Sequence, residues 1–227
     1  MQRRVPPSTF APSDRSSETT ASGWATRLYE AADEVVWAAR LNLLWLVFTL
    51  AGGVVLGLGP ATVAAYTLAR RRALGESFHS LPAFAAAYRR EFARGSLVVL
   101  PLAGAAALLV VNYFYFASLG SAGTAFRLAT FAAIVALVVV AAYLLPMYAH
   151  YDLRTASYLP KASLFAITRP AASVLLLFVF TAIVYASATF PFLALVVSVG
   201  GWIQLDTWLC QRFFAENEAR LHAKGLS

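Results

Sequence analysis

The chain has 227 residues, of which 60% are hydrophobic and only 13% are charged, and its mean hydropathy is +0.67. Because soluble globular proteins carry about 25% charged residues, this composition excludes an ordinary soluble domain. Three stretches of 29, 32 and 36 residues contain no Asp, Glu, Lys or Arg, whereas a helix needs only about 20 apolar residues to cross a bilayer. The sequence therefore predicts an all-α, polytopic helical membrane protein, with five full spans and a short broken or re-entrant helix after the first.

The formal net charge is +7, from 18 Lys and Arg against 11 Asp and Glu. The basic residues cluster beside the apolar runs, as the orientation of membrane helices requires, so we expect no nucleic acid partner. The single cysteine, Cys210, excludes an intrachain disulfide and a cysteine-based metal site, and we interpret it as a small core residue. The sequence has no phosphate-binding glycine loop, GxSxG elbow or HExxH motif, so we expect no cofactor, no metal and no enzymatic activity.

The first 23 residues are rich in Ser, Thr and Pro, which predicts a disordered cytoplasmic tail, and they lack the apolar core of a cleavable signal sequence. In residues 24–40 apolar side chains recur at helical spacing, which predicts an amphipathic helix in the membrane interface. We expect one helical membrane domain over residues 24–214 and a C-terminal tail over residues 215–227.

The first apolar run, LNLLWLVFTLAGGVVLGLGPATVAAYTLA, is too long for one simple span and too short for two full ones. Gly57, Gly59 and Pro60 interrupt the run, and proline is well placed in the first turn of a new helix. We therefore predict a span over residues 41–58, a break, and a short helix over residues 60–72.

The basic residues favour one of two topologies for this run. If the chain returns at the break, 17 of the 18 Lys and Arg lie on one side of the membrane, whereas a single crossing places only 12 there. The tendency of basic residues to stay inside therefore favours the returning form, which puts both termini in the cytoplasm. The objection is length, because a returning leg over residues 60–69 covers only about 15 Å of the hydrocarbon thickness. Both topologies place the C-terminus in the cytoplasm.

A basic segment, RRRALGESFHSLPAFAAAYRREFARG, follows the first apolar run. Residues 80–94 are predicted to form a cytoplasmic amphipathic helix with an apolar stripe that includes Leu81, Phe84 and Tyr88. This helix lies either in the membrane interface or against the protein's own loops. The arginines of the segment are candidate contacts for a partner protein or for anionic lipid headgroups. They are Arg70, Arg71, Arg72, Arg89, Arg90 and Arg94.

The other predicted spans cover residues 97–117, 126–148, 171–188 and 190–209. The last two divide the uncharged run of 36 residues, which would make a helix of about 54 Å if it were continuous. The run contains Pro191, and we place a tight hairpin at residues 187–190. The polar segment HYDLRTASYLPKASLFAITRP over residues 150–170 is assigned no helix.

Few polar residues lie inside the apolar runs. Asp206 is the only acidic residue embedded in one, and an acid within the membrane is a functional candidate by default. We interpret it first as the structural partner of Arg212 or of an arginine in the basic segment, with a role in coupling or transport as the alternative. Asn42 and Asn112 are interpreted as interhelical hydrogen-bonding residues rather than ligands.

Aromatic residues gather near the ends of two predicted spans. The cluster NYFYF over residues 112–116, together with Tyr143 and Tyr148, is assigned to the aromatic belt at the membrane surface. A platform for stacking sugars would use the same residue types and is the alternative.

Two stretches, LNLLWLVFTLAGGVVLGLGPATVAAYTLARR and FHSLPAFAAAYRREFARGS, resemble the YesL family of bacterial membrane proteins over about 55 residues. The shared features are a leucine-asparagine-leucine entry, a glycine-proline break, an Ala-rich short helix with a tyrosine, and a basic-aromatic segment. The chain departs from the family in having AGGVVLGL where members commonly have a proline and a threonine, and arginines where they often have lysines. The matching residues are Leu41, Asn42, Leu43, Trp45, Gly59, Pro60, Ala61, Ala64, Ala65, Tyr66, Phe84, Tyr88, Arg89 and Phe92.

The resemblance implies no catalytic residues, because none is established for the family. Its members are typically associated with carbohydrate ABC importers in Gram-positive bacteria, which implies an accessory role in oligosaccharide uptake across the plasma membrane. The expected partners are then membrane lipids and importer permease subunits. Two alternatives stay open: an independent small transporter or channel that uses the broken first helix, and a membrane scaffold or sensor. The candidate structural or functional residues are Asn42, Gly57, Gly59, Pro60, Tyr66, Asn112 and Asp206.

Overall fold

The computed structural model describes residues 15–151 and 155–223, and in those ranges it contains helices and no strand. The predicted all-α architecture is therefore confirmed. A 3-10 turn (Gly120–Gly123) precedes α5, and a π-helical turn (Ala194–Ser198) joins α8 to α9. The helices are α1 (Arg15–Ala51), α2 (Val55–Ala73), α3 (Ser80–Arg90), α4 (Phe92–Ser118), α5 (Thr124–His150), α6 (Thr155–Thr168), α7 (Pro170–Thr189), α8 (Pro191–Leu193) and α9 (Val199–Ala223).

Two compact units divide the chain, Met1–Trp37 and Ala38–Ser227. In the first, α1 exposes apolar side chains such as Leu28, Tyr29 and Val35. The second contains the rest of α1 and the other helices, and its apolar core brings together side chains from α4, α5, α6, α7 and α9. The buried members of this core are Val98, Ala142, Tyr143, Leu144, Met147, Tyr158, Ala162, Leu176 and Cys210.

In the described part of the chain, five helical segments are long and apolar enough to cross a membrane, as predicted. The last four lie within a few residues of the predicted spans. The long uncharged run is interrupted between Thr189 and Pro191, because proline is suited to the first position of a new helix. The five segments are Thr26–Ala51, Phe92–Ser118, Gly120–His150, Pro170–Thr189 and Pro191–Phe213.

The first helix differs from its prediction. The amphipathic segment over residues 24–40 and the first span form one continuous helix, α1, rather than an interfacial helix followed by a span over residues 41–58. Neither glycine nor proline occurs in residues 24–51 to end the helix early. The helix also begins at Arg15, inside the tail predicted over residues 1–23, and residues 1–14 lie outside the described residues.

The break after the first span lies earlier than predicted. The chain reverses at residues 52–54, where Gly53 and Val54 have positive φ angles of 74° and 63°. The Val54 N–H closes the turn by donating to the Thr49 carbonyl at 2.9 Å. Glycine adopts this left-handed conformation freely because it has no Cβ, whereas a β-branched valine is strained in it.

The predicted break residues, Gly57, Gly59 and Pro60, lie inside α2 instead. A Cβ on Gly57 would collide with the carbonyl oxygen of Thr49 on α1. A Cβ on Gly59 would lie only 2.6 Å from the Cα of Ser96 on α4. The two glycines are therefore needed because α2 approaches two neighbouring backbones closely, and the turn itself is made by other residues.

Helix α2 runs back along α1. The indole N–H of Trp45 on α1 donates to the Thr62 hydroxyl on α2 at 3.0 Å. Because these two residues stand at similar distances before and after the turn, the helices are antiparallel. α2 has 19 residues, and its charge-free part over residues 55–69 is about 22 Å of helix, so the returning leg is longer than the roughly 15 Å expected from the sequence. Arg40 and Arg70 consequently lie toward the same end of the hairpin that α1 and α2 form.

The apolar stripe of α3 packs against the protein itself. Phe84 is fully buried, and the rings of Phe84 and Tyr88 lie 4.9 and 5.1 Å from the ring of Phe48 on α1. Of the two placements left open by the sequence, the structure therefore shows packing against the protein's own helices. α3 ends at Arg90, before the predicted boundary, because the chain turns at Glu91 to begin α4.

Helix α6 occupies the polar segment to which the sequence assigned no helix. Its buried Tyr158 donates to the Tyr151 carbonyl at 2.6 Å, and its Ala162 is fully buried in the core. Pro160 lies within the helix, and a proline at such a position ordinarily argues against one. Tertiary packing on α5 therefore decides the conformation of this segment.

Candidate functional site

The acidic residue embedded in the last apolar run lies in a buried interhelical site. Asp206 on α9 has no exposed surface, and the hydroxyl of Tyr66 on α2 donates to its Oδ2 at 2.6 Å. Tyr66 is also buried, with 1% of its surface exposed. This hydrogen bond joins two residues that are 140 positions apart in the sequence. It ties the returning leg of the hairpin to the last span.

The arginine partner predicted for Asp206 is wrong. In the part of the chain that the structure describes, no Lys or Arg forms an ion pair with this carboxyl group. The guanidinium of Arg212 instead lies 3.8 Å from the centroid of the Trp208 ring. Six positions along a helix separate two side chains by about 120° around its axis, so Arg212 and Asp206 lie on different faces of α9.

Small side chains let α2 approach its neighbours closely enough to form this contact. Ala61, Ala64 and Ala65 are fully buried, and α2 packs against α4, α5 and α9. The same alanines are among the residues that carry the resemblance noted in the sequence. The sequence marked both Tyr66 and Asp206 as candidates without bringing them together.

Cys210 and a proline-freed carbonyl complete the surroundings of the acid. The sulfur of Cys210 lies 3.7 Å from Oδ1 of Asp206 and 3.5 Å from the carbonyl oxygen of Ala142 on α5. In a regular helix that carbonyl would accept from the residue four positions later, but Pro146 has no N–H. The Cys210 thiol supplies the missing donor. Among the described residues, no group of three or more His, Cys, Asp or Glu could hold a metal ion.

A small cavity adjoins Tyr66, with room for about one water molecule. Arg70 donates from Nη1 to the Ala149 carbonyl at 3.3 Å. Its Nε and the Nε2 of Gln211 are buried without a partner among the described residues, so two donors are available beside the cavity. Thr207 and Gln211 are four residues apart on α9, a spacing that could have grouped them from the sequence. The lining residues are Tyr66, Arg70, Pro146, Ala149, His150, Thr207 and Gln211.

A second buried polar site surrounds Asn42 on α1. Its side-chain nitrogen donates to the Leu195 carbonyl at 2.5 Å, and its side-chain oxygen accepts from the N–H groups of Val199 and Gly200 at 3.0 and 3.1 Å. The amide is thus inserted into the backbone ladder at the π-helical turn. A Cβ on Gly200 would collide with the Ala38 carbonyl, so only glycine allows this approach. These are interhelical hydrogen bonds of the kind that the sequence predicted for Asn42.

The arginines that end α2 are engaged with their own chain. Arg70 faces the cavity, and Arg71 pairs with Glu76 at 2.6 Å and lies 4.5 Å from the centroid of the Phe78 ring. Arg72 is half-buried. These three arginines therefore present less free positive charge than their sequence suggests.

The arginines at the junction of α3 and α4 are arranged differently. Arg90 pairs with Glu91 at 3.0 Å, and Tyr148 on α5 donates to the other oxygen of Glu91 at 2.9 Å. Arg89 and Arg94 are exposed and form no ion pair with the described part of the chain. We call Arg89, Arg90 and Arg94 the α3–α4 arginine surface.

Asn112 and the predicted aromatic-belt residues differ in burial and in hydrogen bonding. Asn112 is half-buried and has no hydrogen bond to the described residues, so its interhelical role stays a prediction. Tyr143 is fully buried, with its hydroxyl 3.3 Å from that of Ser173, and does not belong to the aromatic belt. Phe114 and Tyr115 are exposed, as residues of such a belt would be.

The helical architecture and the five candidate spans define a polytopic helical membrane protein. A family model described as a protein of unknown function, DUF624, matches residues 38–113. The Bacillus subtilis (strain 168) protein YesV, an uncharacterized protein, is 35% identical over 147 residues, which cover 63% of this chain and 70% of YesV. YesL of the same organism, also uncharacterized, is 32% identical over 145 residues, which cover 63% of this chain and 68% of YesL.

The chain therefore belongs to the YesL-like DUF624 family, and the resemblance noted in the sequence is confirmed. The matched segment contains Asn42 and Tyr66 but ends before Asp206. No solved structure matches the chain.

Proposed function

We propose that this protein is a non-enzymatic accessory of a carbohydrate ABC importer in the plasma membrane. It supports oligosaccharide uptake by binding the importer's permease subunits. Membership of the YesL-like family supports this proposal, because the resemblance to that family implies such an association. Fold alone does not define a function, so the proposal depends on a surface that could hold a partner.

The α3–α4 arginine surface is the observation that carries the proposal. Phe84 and Tyr88 hold α3 against Phe48 of the hairpin, which fixes the position of the surface. Arg89 and Arg94 are exposed there without a carboxylate partner in the described chain. Exposed charges of one sign select partners of opposite charge and speed their association. Acidic or carbonyl groups of a permease loop fit this chemistry.

The same surface suggests the orientation in the membrane. Arg40 and Arg70 lie toward one end of the hairpin, and the tendency of basic residues to stay inside places that end in the cytoplasm. In this orientation both termini and the α3–α4 arginine surface are cytoplasmic. Labelling of a single cysteine introduced at Ser22, in a chain carrying Cys210→Ser, tests it. Labelling from outside the cell would contradict this orientation.

Co-purification with the permease subunits tests the accessory role. We expect Arg89→Gln combined with Arg94→Gln to lower the recovery of permease about tenfold, which corresponds to roughly 1.4 kcal/mol of binding free energy. The variant keeps Arg90, whose ion pair with Glu91 belongs to the fold. Arg127→Gln, which removes a positive charge elsewhere in the chain, is the matched control and should leave the recovery unchanged. Equal recovery from wild type and the double variant would overturn the partner role.

The structure offers less support for an independent transporter built on the broken first helix. Such a site uses helix ends exposed at mid-depth in the membrane. Here the break is at residues 52–54, where Gly53 and Val54 are exposed at the tip of the hairpin, and Gly57 is packed against the α1 backbone. Substrate flux by the purified protein alone in lipid vesicles would favour the transporter. A scaffold or sensor would show a cellular phenotype with neither flux nor loss of a partner.

A further inference from the structure

Asp206 belongs to a short chain of hydrogen-bonding groups. Tyr66 donates its hydroxyl proton to Oδ2, and the sulfur of Cys210 contacts both Oδ1 and the Ala142 carbonyl. The Ala142 carbonyl needs the thiol proton because Pro146 provides no N–H. A thiol has one proton to donate. Once that proton is directed to Ala142, the contact between sulfur and Oδ1 is a hydrogen bond only if Oδ1 carries a proton.

The charges around Asp206 also indicate that its carboxyl group is protonated. The carboxyl group is fully buried, and an ionised form would be an unpaired charge away from water. The titratable groups that face it are Tyr66 from α2, Tyr143 from α5 and Cys210 from α9 itself, all of which are neutral at pH 7 in their ordinary state. Helix α7, which also packs on α9, carries only Tyr185, which is 73% exposed.

The small cavity beside this chain has room for about one water molecule. Tyr66 lines the cavity, and its hydroxyl donates to Oδ2 of Asp206, so this side chain connects the cavity to the acid. Arg70 and His150 face the cavity as well, and Arg70 directs a donor to the Ala149 carbonyl rather than to the acid. A water in the cavity can pass a proton to the Tyr66 oxygen while Tyr66 passes its own proton to Oδ2 along the hydrogen bond. Release of the proton follows the reverse path.

We propose that Asp206 is a proton-binding site of the membrane domain, occupied at neutral pH, that exchanges its proton with water through the cavity beside Tyr66. The bound proton completes the hydrogen bonds that join α2, α5 and α9. Its loss would leave an unpaired buried carboxylate and remove the hydrogen bond from Oδ1 to the Cys210 sulfur. The proton-binding site does not depend on the accessory role, because it does not involve Arg89, Arg90 or Arg94.

Infrared spectroscopy of the full-length protein in lipid vesicles tests the proposal directly. We expect wild type at pH 7 to show the C=O stretch of a protonated carboxyl group, and Asp206→Asn to lose it. Tyr66→Phe should keep the band at a higher frequency, because the carbonyl then loses its hydrogen bond. Glu91→Gln, which removes another partly buried acid, is the control and should keep the band unchanged. Identical wild-type and Asp206→Asn spectra in this region would overturn the proposal.

A second measurement needs no substitution and so does not depend on how well a variant folds. The chain contains four aspartates, Asp14, Asp33, Asp152 and Asp206. With ¹³C-labelled aspartate, nuclear magnetic resonance of the wild-type protein should show one carboxyl carbon with the chemical shift of a neutral acid at pH 7. Exchange of its proton with deuterated solvent should be slower in Tyr66→Phe. If all of the labelled carboxyl carbons have carboxylate shifts at pH 7, Asp206 is ionised and the proposal fails.

Discussion

The surroundings of Asn42 and of Asp206 are two ways of burying a polar side chain in the same helical domain. Both side chains have no exposed surface, and both connect α9 to another helix. Asn42 meets backbone groups of the π-helical turn and satisfies a carbonyl and two N–H groups with a neutral amide. Asp206 meets side chains, and its hydrogen bonds depend on where the protons are.

The difference shows what each site can do. An amide has fixed donors and acceptors, so the Asn42 site has one arrangement and serves structure. A carboxyl group can gain or lose a donor, so the Asp206 site has two states that differ in charge. Buried ionisable groups are costly and mark functional positions in membranes more often than amides do. Substitutions at the two sites should therefore separate structural from chemical roles.

The largest effect is expected for Asn42→Ala. The substitution leaves the Leu195 carbonyl and the N–H groups of Val199 and Gly200 without partners. Each buried group left unsatisfied costs about 1–3 kcal/mol, so we expect a loss of about 3 kcal/mol or more. Titration of the purified protein from detergent into SDS, followed by circular dichroism, measures it. Asn112→Ala is the control, with an expected change below about 1 kcal/mol; equal effects would contradict this account.

Gly200→Ala should disrupt the Asn42 site through a steric collision rather than through the loss of hydrogen bonds. Its Cβ would collide with the Ala38 carbonyl and push α1 from the turn. Overpacking of this kind typically costs about 1–3 kcal/mol, and the same unfolding measurement applies. Gly104→Ala is the matched control, because nothing lies within 4 Å of the added Cβ. There the better helix propensity of alanine should leave stability unchanged or raise it by up to about 1 kcal/mol. A stable Gly200→Ala variant would rule out the close contact.

Much of this architecture could be predicted from the sequence, because charge-free runs and their lengths directly report helices that fit a bilayer. The hairpin formed by α1 and α2 shows where prediction from the sequence fails. Charge counting favoured a returning chain, but Gly57, Gly59 and Pro60 were assigned to the break, although Gly53 and Val54 make it. A glycine required for a positive φ and one required for close packing look the same in a sequence.

The Asn42 and Asp206 sites also differ in how well the sequence predicts their hydrogen-bond partners. The interhelical role of Asn42 was predicted because an amide in an apolar run finds backbone or side-chain partners almost anywhere in a helical bundle. The partner of Asp206 was predicted wrongly, because proximity in sequence to Arg212 says little about direction around the helix. Tyr66 contacts Asp206 only because α2 packs against α9, and no local sequence pattern predicts that packing.

Tyr66→Phe sharpens the comparison at the Asp206 site. It removes the hydrogen bond to Asp206 and the contact of the Tyr66 hydroxyl with the Trp202 side chain, and it keeps the ring that packs between α2 and α9. We expect a loss of about 1.5 kcal/mol at neutral pH, the usual value for a buried hydrogen bond whose partner remains. SDS unfolding of wild type and Tyr66→Phe measures it. Tyr115→Phe, at an exposed tyrosine, is the control and should lie within about 0.5 kcal/mol of wild type. A Tyr66→Phe variant as stable as wild type would show that the hydrogen bond is not made.

The smallest expected effect is the difference in stability between two substitutions of Cys210. Cys210→Ala leaves the Ala142 carbonyl without a donor and Oδ1 of Asp206 without a neighbour, and we expect a loss of about 1–2 kcal/mol. Cys210→Ser keeps one donor and one acceptor in a slightly smaller side chain, so it should recover about half of that loss. Unfolding midpoints of the two variants in the same detergent provide the comparison. If alanine were tolerated better than serine, the site would be an apolar contact, and the hydrogen-bonded chain from Tyr66 to Ala142 would end at Asp206.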